Sequence, residues 1–122
     1  MIYYGQVQIL DFGDLFGIGK KLAIPGMETL LTIICVVGVI NALNLIDGID
    51  GLCGMVSFTA LLGLLIINQL NGLGAPVSLV VYFLFSLLAF MAVNLSLFGN
   101  FIKKVFLGDA GTTIIGFFIC WY

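Results

Sequence analysis

Four polar side chains at the end of a long apolar run have residue types and a spacing that could do chemistry. Within the stretch NALNLIDGIDGLCG, residues 41–54, they are Asn41, Asn44, Asp47 and Asp50. The first three recur every three residues, so on an α-helix they lie within one stripe about 120° wide. Asp50 continues the series, but Gly48 and Gly51 are expected to unwind the backbone there and to let a ligand approach the main chain.

The alternative to a functional site is a simple turn. D-G is a common turn dipeptide, and Asp and Asn often cap helices. A turn does not require Asn41 and Asn44 inside the span, however, and carboxylates at membrane depth are costly and by default functional. We therefore interpret the two asparagines and two aspartates as a site. Asn94 also lies in an apolar span, where a helix-packing hydrogen bond and a site role are both open.

A third acid, Asp109, stands in a second polar segment, VFLGDAGTT. Its neighbours include one aromatic residue, Phe106, and four small or polar residues, Gly108, Gly111, Thr112 and Thr113. The chain has no histidine, and oxygen ligands suit Mg²⁺, which takes one or two carboxylates and completes its shell with water and substrate phosphates. Glycine N–H groups and threonine hydroxyls at a helix start could bind an anion. Phe106 as an interfacial anchor and Thr112 as a helix cap remain open, but together the residues favour a Mg²⁺–phosphate site at the membrane surface.

Composition shows that water is not the main solvent of this chain. Of its 122 residues 62% are hydrophobic and 8% are charged, and the mean hydropathy is +1.29, whereas a soluble domain carries about 25% charged residues. The net charge of −2 includes no basic patch that would bind nucleic acid. The three isolated cysteines are interpreted as packing residues. The chain is therefore an integral membrane protein with the lipid bilayer as a partner and no nucleic acid.

Apolar runs predict an all-α polytopic membrane protein with three full transmembrane helices and a truncated fourth. The spans are expected at about residues 29–46, 52–70, 77–98 and 112–122, from the length that a spanning helix needs. The loops that carry the polar motifs are expected at about residues 47–51 and 99–111, between those spans. Residues 1–28 hold five of the ten charges and are expected to form an extramembrane or interfacial segment, in which QVQIL alternates as a short strand does.

The number of crossings predicts that the two polar motifs lie on one side of the membrane. Two complete spans separate Asp50 from Asp109, so their loops emerge on the same side. Lys103 and Lys104 stand in the second loop, and the positive-inside rule makes that side cytoplasmic. Two further lysines, at positions 20 and 21, would then face outward, but their distance from the first span weakens their effect.

Two of these segments resemble a known family. NALNLIDGIDGL and VFLGDAGTTIIGF are similar to hallmark segments of the polyprenyl-phosphate N-acetylhexosamine-1-phosphate transferases, glycosyltransferase family 4. DFGDLFG and the spacing of the spans resemble the bacterial branch that uses UDP-GlcNAc and undecaprenyl phosphate more than the branch of peptidoglycan synthesis. The resemblance implies a larger bundle of roughly ten or eleven spans of about 20 residues each. It also implies a bacterial inner membrane, with the active site facing the cytoplasm.

The resemblance implies a reaction and assigns residues to it. The phosphate of undecaprenyl phosphate attacks the β-phosphorus of a UDP-N-acetylhexosamine with the help of Mg²⁺, or of Mn²⁺ as an alternative, and UMP is released. Asp109 matches the family's magnesium-binding aspartate, and Asp47 and Asp50 match acids that shape the nucleotide and pyrophosphate site. Asn44 matches the asparagine that precedes them, and Phe106 matches an aromatic residue that stacks on uracil in the peptidoglycan branch. Candidate substrate-binding residues around these are Asn41, Asn44, Gly48, Phe106, Gly108, Gly111 and Thr112, the last at a position where serine is common.

Two features of the family are not found in this sequence. An Asp-Asp pair that engages the lipid phosphate or the metal is expected earlier, and a histidine-containing loop that contributes to sugar recognition is expected later. The chain contains neither a histidine nor two adjacent acids. It is therefore expected to be a central fragment that is inactive alone.

Other functions remain open from the sequence. An intramembrane aspartyl protease also places aspartates in membrane helices, although its G-x-G-D signature fails because position 106 is Phe. A remnant without activity, or a transporter segment with a polar stripe, is a non-catalytic alternative. A transporter would be expected to place its broken helices near the bilayer midplane, whereas these acids cluster near one face. The sugar, the glycan pathway and the oligomeric state are not specified by the sequence.

Overall fold

The structure, a computed structural model, describes residues 26–72, 75–95 and 105–122. In these segments the chain forms four α-helices and no strand. The helices are α1 (Glu28–Ile46), α2 (Leu52–Asn71), α3 (Val77–Asn94) and α4 (Gly108–Trp121). The first three are long and apolar enough to cross a membrane, which confirms the predicted all-α polytopic class. The strand predicted at QVQIL lies outside the described residues.

Two predicted boundaries differ from the structure. The third helix ends at Asn94 rather than at residue 98, and the fourth begins at Gly108 rather than at residue 112. Asp109 and Gly111, which were predicted to lie in the loop 99–111, therefore belong to the first turn of α4. The helix α4 begins early because the residue that caps it comes from another loop. The sequence around residue 108 therefore does not show the cause.

The described contacts divide the chain into two units, residues 1–38 and 39–122. Within the second unit, α2 packs against both α3 and α4. The core side chains of this unit are Leu43, Cys53, Leu61, Val80, Leu84, Leu87, Ile115 and Phe118. The ring of Phe118 stacks on that of Phe83 with 4.0 Å between centroids. Tyr82 and Phe85, by contrast, are 69% and 67% exposed, as expected of side chains that face lipid.

The turn between α2 and α3 is closed by one buried asparagine. Asn68 accepts a hydrogen bond from the N–H of Ala75 at 3.3 Å and donates to its carbonyl oxygen at 3.2 Å. The same amide nitrogen lies 2.7 Å from the hydroxyl of Tyr122, which follows α4. Asn68 therefore joins α2, the start of α3 and the end of α4 at the end of the bundle opposite the two polar motifs.

Gly116 allows α4 to approach the C-terminal part of α1. A Cβ atom on Gly116 would lie 2.9 Å from Cγ1 and 3.1 Å from Cα of Ile40, distances at which atoms must shift. Small residues at such crossings let helix backbones come close in membranes. Gly63, in the middle of α2, has no atom within 4 Å of the same position.

We expect Gly116→Ala to lower the free energy of unfolding by about 1–3 kcal/mol, the usual cost of an extra carbon in a tight contact. Gly63→Ala is the matched control and is expected to raise it by about 0.5–1 kcal/mol, because glycine weakens a helix interior. Thermal unfolding of both variants in the same detergent measures the difference. Equal stability of the two variants would show that the approach at Ile40 is not tight.

Candidate functional site

Asp47 connects the first polar motif to the fourth helix. It directly follows α1 and is only 7% exposed. Its Oδ2 atom accepts a hydrogen bond from the N–H of Gly108 at 2.7 Å, and its Oδ1 atom accepts one from the N–H of Leu107 at 3.3 Å. The first N–H groups of a helix have no partner within the helix and carry its positive dipole end. A carboxylate from another loop therefore caps α4, in place of a local cap at Leu107, which makes no side-chain hydrogen bond.

This cap changes the interpretation of Asp47 and of the helix start. The sequence predicts a role for Asp47 in catalysis, and the structure adds that both carboxylate oxygens hold α4 in place. The anion site that was expected at this helix start has to use other donors, because the N–H groups of Leu107 and Gly108 already donate to Asp47. The bonds also place the two polar motifs at the same end of the second unit, and the number of crossings predicts a common side of the membrane for them.

Thr112 lies deeper than its predicted position at a helix start. It stands in the second turn of α4 and its side chain is fully buried. Its hydroxyl donates towards Oδ1 of Asn44 at 3.5 Å and also lies 3.1 Å from the carbonyl oxygen of Gly108. The prediction of a helix-start hydroxyl open to an anion is therefore wrong in position, and Thr112 joins α4 to the end of α1 through Asn44.

The stripe predicted for Asn41, Asn44 and Asp47 is only partly preserved in the structure. Asn41 and Asn44 are both exposed, whereas Asp47 lies beyond the end of the helix and is buried. Among the described residues, hydrogen bonds join Asn44 and Asp47 to the fourth helix, and none joins Asn41 to it. The three residues therefore share a helix end without forming one surface.

Two acids are exposed at this end of the second unit. Asp50 is exposed in the turn between α1 and α2, and Asp109 is exposed in the first turn of α4. Phe106 is half-exposed just before α4. Within the part of the chain that the structure describes, no three carboxylate or thiol side chains form a metal-binding cluster. One or two carboxylates still suit Mg²⁺ when phosphate oxygens and water complete its shell, and exposed Asp109 fits that donor set.

The turn that carries Asp50 depends on glycine. Gly51 has φ +74°, and a Cβ atom there would lie 2.7 Å from Cδ2 of Leu95. Only glycine adopts this conformation without strain. Gly48 has no atom within 4 Å of the equivalent position, so of the two glycines in this turn the structure requires Gly51.

Sequence reasoning left the role of Asn94 open. Its side chain, 1% exposed, accepts a hydrogen bond from the N–H of Gly51 and donates one to the carbonyl oxygen of Val105 at 2.8 Å. The only signal in the sequence is a single asparagine at the end of an apolar span. This signal does not indicate which groups the side chain binds.

The comparisons with known proteins agree with the motifs. A family model described as glycosyl transferase family 4 matches residues 1–122, the whole of the chain. No curated protein and no solved structure gives a match. The family match supports a membrane-bound sugar-phosphate transferase over the protease and transporter alternatives.

Proposed function

The chain belongs to glycosyl transferase family 4, and we propose from this premise that it carries part of the active site of a UDP-GlcNAc:undecaprenyl-phosphate GlcNAc-1-phosphate transferase. A role in sugar 1-phosphate transfer to a lipid-linked acceptor follows from the family. The choice of GlcNAc, of uridine as the nucleotide and of undecaprenyl phosphate as the acceptor rests on the resemblance of the two motifs to that branch. The product would begin a cell-surface polysaccharide at the bacterial inner membrane.

The observation that carries the proposal is the contact between the two motifs. The carboxylate of Asp47 binds the N–H groups at the start of α4, so the turn that bears Asp50 and the helix turn that bears Asp109 are held at one end of the bundle. Both acids are exposed there. A phosphoryl transfer depends mainly on positioning and on charge neutralisation, and an end of the second unit with exposed acids suits that chemistry at the surface of a bilayer.

The proposed reaction forms one P–O bond and breaks another. An oxygen of the lipid phosphate attacks the β-phosphorus of the UDP-sugar, and the bond from that phosphorus to the bridging oxygen breaks, so that UMP leaves with the bonding electrons. Asp109 would hold Mg²⁺, or Mn²⁺, together with phosphate oxygens, and the ion when bound neutralises their charge. Phe106 would stack on the base, while Asp50 would orient the pyrophosphate. Lys103 and Lys104, next to this end in sequence, support a site that faces the cytoplasm.

The test is a two-substrate assay on the full reading frame that encodes this chain, purified in detergent. UDP-GlcNAc and undecaprenyl phosphate are supplied together, and both UMP and the lipid-linked diphosphate sugar are measured. We expect equal amounts of the two products, loss of both with EDTA and recovery with Mg²⁺. UDP-GalNAc, UDP-QuiNAc and UDP-FucNAc in the same assay identify the sugar. UMP release that does not require the lipid phosphate would contradict the proposal.

A further inference from the structure

Asn94 is a buried polar residue that contacts both loops of the candidate site. It is the last residue of α3, and its side chain is 1% exposed. Its amide oxygen accepts from the N–H of Gly51, and its amide nitrogen donates to the carbonyl oxygen of Val105. One planar amide is therefore bonded to the turn between α1 and α2 on one side and to the segment before α4 on the other.

These two backbone groups stand next to the exposed acids. Gly51 directly follows Asp50 in the chain, and Val105 precedes Asp109 by four residues. Neither the N–H of Gly51 nor the carbonyl oxygen of Val105 makes a helical hydrogen bond that could replace its bond to Asn94. A buried backbone group without a partner is costly. A primary amide carries a donor and an acceptor at a fixed spacing, so Asn94 constrains both loops at once.

We propose that Asn94 is a positioning residue that sets the separation of the two acid-bearing loops. Its effect on catalysis rests on the proposed function, whereas its effect on loop geometry does not. Asp47 fixes the start of α4 against the first loop, and Asn94 adds a second point of attachment, from the end of α3, which meets the first loop on the other side of Asp50 in sequence. Two points of attachment fix the orientation of one loop relative to the other, whereas a single point would let one loop rotate about it.

The chain supplies a matched control in Asn68. Asn68 is also buried, at 5% exposed, and its amide also bonds to backbone donor and acceptor groups, those of Ala75, at the opposite end of α2 and α3. It makes a further bond to Tyr122. Asn68→Leu therefore removes at least as many buried hydrogen bonds as Asn94→Leu with the same change of side chain. Any effect specific to Asn94 comes from its place between the loops and not from loss of stability.

The first readout is the distance between the loops, which needs no activity. Spin labels are attached to cysteines introduced at Ile49 and Val105, whose side chains are 59% and 50% exposed. Cys35 and Cys120 are replaced by alanine, and buried Cys53 is kept. Pulsed electron paramagnetic resonance then gives the distribution of distances. We expect Asn94→Leu to broaden the distribution at least about twofold, since loss of both bonds frees both loop backbones, and we expect Asn68→Leu to leave it unchanged.

The second readout separates turnover from binding in the two-substrate assay. Asn94→Leu is expected to lower kcat by about 10- to 100-fold with KM for the UDP-sugar nearly unchanged, because small misplacements of reacting groups cost that much. Asn68→Leu is expected to retain the wild-type kcat per folded molecule. Asn94→Asp keeps an acceptor for Gly51 and, when protonated, a donor for Val105. It is therefore expected to recover part of the activity and a narrower distance distribution than Asn94→Leu.

The outcomes separate this proposal from the proposed function. If the wild-type protein does not release UMP, the proposed function fails, and the distance measurement still decides the role of Asn94. A distribution that is unchanged in Asn94→Leu, or equally broadened in Asn68→Leu, overturns the positioning role even in an active transferase. If Asn94→Leu does not fold, Asn94→Ala, which also removes both bonds, takes its place and is compared with Asn68→Ala in the same way.

Discussion

Replacing Asp109 by asparagine is expected to remove nearly all transferase activity while leaving the fold intact. The side chain is exposed in the first turn of α4, so its carboxylate is available to a metal ion and to substrate phosphates. Asparagine keeps the size and one acceptor oxygen but loses the negative charge. We expect kcat to fall on the order of 10²- to 10³-fold, the loss found when one preorganised electrostatic group is removed from an active site.

The control for Asp109 is an acid of a different helix. Glu28 lies in the first turn of α1, and Glu28→Gln removes the same charge by the same chemical change. The two-substrate assay should show wild-type kcat for Glu28→Gln, and thermal unfolding should show wild-type stability for Asp109→Asn. Activity within a factor of a few of wild type in Asp109→Asn would remove Asp109 from the proposed metal site.

Replacing Asp47 by alanine is expected to destabilise the protein, in contrast to the change at Asp109. The substitution leaves the N–H groups of Leu107 and Gly108 without their carboxylate partner. A hydrogen bond to a charged group contributes roughly 1.5–3 kcal/mol, so we expect the free energy of unfolding to fall by about 3 kcal/mol in total. Activity should fall too, because the turn that bears Asp109 loses its attachment to the first loop.

The variant Asp47→Asn shows how much of the stability of the cap depends on the negative charge of the carboxylate. The amide oxygen can still accept one of the two N–H groups, while the amide nitrogen faces the other as a second donor. We expect about half of the loss of stability seen in Asp47→Ala, since one charge-assisted bond becomes a neutral bond and one is lost. Urea unfolding in detergent measures both variants, and amide hydrogen exchange at Gly108 shows whether the helix start has opened. Unchanged exchange at Gly108 in Asp47→Ala would contradict the cap.

Prediction from the sequence succeeded where the signal is local. An apolar run of membrane length allows few structures other than a helix, because every backbone polar group in lipid needs a partner within the segment. The first three helices were therefore predicted to within a few residues. The two motifs were long enough to indicate the family, and the number of crossings placed Asp50 and Asp109 at the same end.

Prediction was less successful where the partner of a residue is distant in sequence. The start of α4 was placed at Thr112, four residues late, because its cap, Asp47, stands about 60 positions earlier in the chain. Thr112 was expected to face a ligand, and the structure buries it against Asn44. Asn94 was left undecided, since neither the N–H of Gly51 nor the carbonyl oxygen of Val105 is marked in the sequence.

The sequence by itself therefore determined the membrane-spanning helices, the pairing of the two polar motifs at one end and the family to which the chain belongs. Only the tertiary structure decided how the three motif acids divide their tasks: Asp47 is buried as a helix cap, while Asp50 and Asp109 stay exposed. The physical reason is that hydropathy and motif spacing are properties of neighbouring residues. The environment of a carboxylate depends instead on which distant N–H groups the packed helices bring within hydrogen-bonding distance.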